Sequence, residues 1–123
     1  MELKEYQSRT LEAFGRWLEA LETARFQSEV QISALQGVGA DIPDEIRNYP
    51  KSAWSKLAET GNVAESAGEY VDRTDEADRP IPNVCFKIPT GGGKTLLAAA
   101  ALERLNRPTG LTLWLVPSRA IYQ

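Results

Sequence analysis

Residues Thr90-Gly91-Gly92-Gly93-Lys94-Thr95 constrain this chain more than any other stretch. Three consecutive glycines let a backbone curl so that several N–H groups point to one spot. Ahead of them lies Val84-Cys-Phe-Lys-Ile88, a short apolar run rich in strand formers. Behind them, Leu96 to Leu105 is rich in alanine and leucine and reads as helix. A glycine loop between a strand and a helix predicts a strand–loop–helix unit. After the turn residues Asn106 to Gly110 comes Leu111-Thr-Leu-Trp-Leu-Val116, apolar at nearly every position. Such a strand is buried on both faces, as in a parallel sheet covered by helices. Pro117 ends it and Ser118 can cap a further helix. The expected fold class is therefore α/β, a partial P-loop domain with a right-handed parallel βαβ unit.

The chemistry of the loop follows from its residue types. A polyphosphate needs closely packed donors. The cradle of Thr90, Gly91, Gly92 and Gly93 offers backbone N–H groups, and the following helix adds its positive N-terminal end. Lys94 supplies a point charge for the β- and γ-phosphates and is the candidate catalytic residue. The Thr95 hydroxyl is the candidate ligand for Mg²⁺. The expected ligands are ATP and Mg²⁺. The pattern is that of a Walker A motif except at its first position, where Ile88 replaces glycine.

The rest of the chain has another character. Residues from about Leu3 to Gln36 read as one helix, with Leu11, Phe14, Leu18 and Leu21 forming an apolar stripe. Turn residues follow at Gly37 to Gly39. Asp41 and Pro43 can open a short helix that Pro50 interrupts. Ser52 can cap a second one, carrying Trp54 and Leu57 and stopped by Gly61. Gly61 to Pro82 reads as an acidic loop. The expected division is an N-terminal helical region, residues 1–82, and the first βαβ of a P-loop domain, residues 83–123. Charge divides near the same point. Residues 1–80 carry 9 basic and 16 acidic side chains, net −7, and residues 81–123 carry 5 and 1, net +4. The basic part suits anionic ligands, and the acidic part reads as a solvated face.

Several function classes are excluded. Histidine is absent, which removes His-based triads and zinc sites. A single cysteine, Cys85, allows no internal disulfide and fits a reducing, cytoplasmic setting. No signal peptide is expected, and the longest apolar run, Leu96 to Leu102, is far too short for a membrane span.

Ile88-Pro-Thr-Gly-Gly-Gly-Lys-Thr95 resembles motif I of superfamily II helicases and translocases. Two more segments agree in order. Leu3-Lys-Glu-Tyr-Gln7 resembles the Q-motif, in which a glutamine reads adenine. The resemblance implies that Gln7 pairs its amide with N6 and N7 of the base, with Tyr6 or Lys4 helping to hold it. Leu115-Val-Pro-Ser-Arg-Ala-Ile-Tyr-Gln123 resembles motif Ia, which implies that Pro117, Ser118 and Arg119 approach a nucleic-acid backbone. The wording from Cys85 to Thr95, with Leu113-Trp-Leu-Val-Pro-Ser118, is most similar to the motor subunit of type III restriction enzymes and related defence proteins. That resemblance implies a RecA-like motor domain. It also implies DNA as partner, with RNA as the alternative, and association with the rest of a motor protein and a modification subunit.

The resemblance covers residues 1–8 and 83–123, and residues 9–82 read as a helical insertion. The family's Asp-Glu motif and second motor domain have no counterpart here, since no acidic residue follows Glu103. The expectation is an N-terminal piece of a longer ATP hydrolase, inactive alone. Two other classes remain open. One is a P-loop kinase or ATPase without a nucleic-acid role. The other is a non-catalytic binding protein built on half a motor domain. An Asp-Glu-x-His sequence beyond Gln123 supports the helicase, and a natural stop there supports the binding protein.

Overall fold

A computed structural model describes residues 4–61, 68–86 and 93–105. The apolar stripe near the N-terminus does form a helix, α1, Glu5–Gly37, 33 residues long and about 50 Å from end to end. Leu11 and Phe14 are buried, Leu18 and Leu21 are partly buried, and Trp17 joins them inside. The helix starts on a side-chain cap. The Lys4 N–H donates to Gln7 Oε1 at 2.9 Å, the half of a capping box in which the residue at N3 reaches back. It ends where the sequence turns to glycine. Gly39 has φ +69, and the Ala40 N–H closes on the Leu35 carbonyl at 3.0 Å.

Two short helices follow, α2 (Asp44–Arg47) and α3 (Tyr49–Glu59). Pro50 does not interrupt a helix as expected. It lies in the first turn of α3, where a missing N–H costs nothing. Asn48, not Ser52, is the residue at the junction: its N–H bonds the Asp44 carbonyl, and its own carbonyl accepts from the Ser52 N–H. Gly61, with φ +74, ends the element as expected.

Ser28 ties α1 to α2. It is buried, and its hydroxyl donates to the Ile46 carbonyl at 2.6 Å. Ser28→Ala leaves that carbonyl short of a partner and is expected to cost about 1–3 kcal/mol. A fall in the thermal midpoint with unchanged helical circular dichroism would register it.

The acidic loop is pinned rather than loose between Gly68 and Asn83. Trp54 Nε1 donates to the Gly68 carbonyl at 3.4 Å, and the Trp54 and Tyr70 rings lie 6.1 Å apart. Asn83 Nδ2 donates to the Tyr70 hydroxyl at 3.0 Å and to the Val71 carbonyl at 3.1 Å. Burial pushes the Tyr70 phenol above its usual range. Thr74 and Pro80 form an antiparallel bridge around a tight turn. The Asp75 carboxylate accepts the N–H groups of Ala77 and Arg79 there, each at 2.9 Å. These bonds, from Arg79 foremost, hold the Asp75 carboxyl below its usual range.

The expected parallel βαβ unit is not what the structure shows. The described residues contain no strand or sheet, only the Thr74–Pro80 bridge, and are otherwise helix and connecting chain. Val84, Cys85 and Phe86 have no ladder partner among the described residues. A strand exists only where a neighbour takes up its N–H and C=O groups. Here the apolar side chains of Val84 and Phe86 pack against the helices instead. The Phe86 ring meets Phe14 edge-on, with centroids 5.2 Å apart at 81°. The second expected strand, Leu111 to Val116, and the helix after Ser118 lie outside the described residues, as do Lys87 and Ile88.

The core joins α1 and α3 to a fourth helix, α4 (Lys94–Leu105). Leu11, Phe14 and Trp17 meet Leu57 from α3 and Leu97 and Ala101 from α4. Phe14 and Trp17 stack at 5.7 Å. Among the described residues, no helix is long and apolar enough to cross a membrane.

Candidate nucleotide-binding site

The site is built where two helices begin. Helix α4 starts at Lys94, two residues before the expected Leu96, so Lys94 and Thr95 belong to its first turn. Gly93 precedes it with φ +74, and its carbonyl accepts the Leu97 N–H at 3.0 Å. Gly93 is thus the residue from which the helix departs. The N–H groups of the first turn have no partner within the helix itself, and the positive end of the helix dipole lies there. Thr95 is exposed. Leu97 and Ala101, one turn apart on the buried face, fasten α4 to α1.

The start of α1 sits against this turn. Gln7 is only 3% exposed. Its oxygen takes the Lys4 N–H, which turns its nitrogen toward Gly93. A Cβ added at residue 93 would stand 2.5 Å from Gln7 Nε2. The left-handed backbone favours glycine at 93, and a Cβ there would also oblige the Gln7 carboxamide to shift.

Of the residues predicted from sequence, Gln7, Gly93, Lys94 and Thr95 are brought to one junction. The contact between Gln7 and Gly93 joins positions far apart in the chain. Thr90, Gly91 and Gly92 lie outside the described residues, and so do Pro117, Ser118 and Arg119. Sequence reasoning missed that Gln7 serves as the cap of α1. The signal was present, because a glutamine three residues after a helix start is the capping-box position. Two open surface clefts, one lined by Arg25, Tyr49 and Arg79 and one by Lys51 and Asp72, share no residue with this junction.

The whole chain, residues 1–123, matches the family model of the type III restriction enzyme res subunit. The chain belongs to that family. Neither the curated proteins nor the solved structures give a match. Membership in the res-subunit family makes this a helicase-like motor sequence and implies a P-loop domain.

Proposed function

We propose that this chain is the ATP-binding, N-terminal part of an ATP-dependent DNA helicase or translocase of a restriction or phage-defence system. The observation that carries the reading is the junction of Gln7 with Gly93 at the start of α4, in a res-subunit chain. The residues fit ATP with Mg²⁺. Gly93 supplies a left-handed backbone without a side chain at the start of a helix, which is what a phosphate-binding turn needs.

In this reading, Thr90 and Gly91 to Gly93 form the cradle. Lys94 holds the β- and γ-phosphates, and the Thr95 hydroxyl is the Mg²⁺ ligand. Gln7 reads the adenine edge. Pro117, Ser118 and Arg119 approach the DNA backbone. The Thr95 hydroxyl would hold a Mg²⁺ ion whose charge would offset that of the phosphates. The remaining work on this chain is orientation by backbone donors at a fixed helix start. The partners are DNA, the remainder of the motor and a modification subunit.

The motor protein containing this chain is expected to hydrolyse ATP faster when DNA is added. Lys94→Ala should lower that turnover by roughly 10²–10³-fold, the usual loss for a single charge-stabilising donor. Hydrolysis indifferent to DNA and RNA would instead favour an ATPase without a nucleic-acid role. The 123 residues alone are expected to bind ATP with negligible turnover.

A further inference from the structure

Gln7 has a second task that base reading alone does not explain. Its side chain is almost fully enclosed, at 3% exposure. Its oxygen is held by the Lys4 N–H at 2.9 Å. Its nitrogen end closes off the face of Gly93 on which any other residue would carry a Cβ. Gly93 in turn holds the first hydrogen bond of α4 through Leu97, and Leu97 is 1% exposed in the core beside Leu11. The start of α1, the carboxamide of Gln7, the backbone of Gly93 and the start of α4 therefore form one continuous packed chain.

We propose that Gln7 is a positioning residue for the phosphate-binding end of α4, acting by packing on the Gly93 backbone, and not only a reader of the base. This rests on the nucleotide-site reading above and adds a distinct claim. Donors at a helix start bind phosphate well only if their positions are set beforehand. A glycine tolerates many backbone angles, so something outside it must choose one. Gln7 supplies the wall that does so. A ligand with phosphates and no base should then depend on Gln7 as ATP does.

The test uses two ligands, MgATP and magnesium tripolyphosphate, titrated calorimetrically into the chain. Gln7→Ala should weaken tripolyphosphate by about tenfold, the equivalent of roughly one lost packing group, and ATP by more, since the base contact is lost as well. Gln7→Met restores bulk against Gly93 without a polar amide. It should bring tripolyphosphate binding back to within a few-fold of the unaltered chain while ATP stays weakened. That split is one that general damage to the fold would not give. Should Gln7→Ala fail to fold by circular dichroism, Gln7→Ser, which also withdraws the bulk from Gly93, carries the same comparison.

The proposal is overturned if Gln7→Ala, or Gln7→Ser in its place, weakens ATP and leaves tripolyphosphate untouched, or if Gln7→Met weakens tripolyphosphate as much as the small side chain does. Binding of neither ligand by the unaltered chain would overturn the nucleotide-site reading itself. That outcome is distinct from a Gln7 effect confined to the base.

Discussion

Leu97→Ala should destabilise the chain by about 2–5 kcal/mol, the cost of a cavity at a site with no room to collapse. Leu97 is 1% exposed and lies among Leu11, Phe14, Trp17, Leu57 and Ala101. The buried set is small, and a chain of this size has only about 5–15 kcal/mol in total. A single truncation there takes a large share. Leu97 also donates its N–H to the Gly93 carbonyl, so the loss falls on the turn from which α4 starts. Urea denaturation should show a lower midpoint. Leu105→Ala is the control. Leu105 sits on the same helix but is 36% exposed, and its change should stay within about 0.5 kcal/mol.

Gly93→Ala has the next largest expected effect, and its cause is different. At φ +74 a side chain carries a backbone penalty of about 1–2 kcal/mol. The new Cβ also meets Gln7 Nε2 at 2.5 Å. The carboxamide can swing away, but only by straining its bond with the Lys4 N–H, a further loss of about 0.5–1.5 kcal/mol. In the double variant Gln7→Ala, Gly93→Ala the steric part disappears. The two losses should then sum to more than the measured total, with a coupling of roughly 0.5–3 kcal/mol. Gly15→Ala should go the other way. Gly15 lies inside α1 with nothing near its missing Cβ, so alanine there should stabilise by about 0.5–1 kcal/mol.

The contrast between these positions shows what a sequence can and cannot disclose. Helix α1 is legible because Leu11, Phe14, Leu18 and Leu21 repeat at helical spacing, and local periodicity needs no knowledge of the partner surface. Its observed ends fall close to the expected ones. Pro50 misled because proline both stops a helix and starts one. Only Asn48, bonded on both sides, decides between them. Val84 to Phe86 misled for a deeper reason. Strand-forming residues report a preference for a half-buried, extended environment, and Phe86 satisfies that preference on the Phe14 ring. The glycine-rich stretch suggested phosphate chemistry through its residue types. Its junction with Gln7 was not legible, because contact across the chain is a tertiary fact. Resemblance set both near one nucleotide, and the packing of one on the other came from the structure alone.

The nucleotide site proposed at the start of α4, backed by Gln7, can be probed by titrating MgATP into the 123-residue chain and its Lys94→Ala variant under identical salt. Saturable binding by the first and at least tenfold weaker binding by the second, a difference of about 1.4 kcal/mol, is expected. Equal affinity in the two chains, or no binding by either, would contradict it.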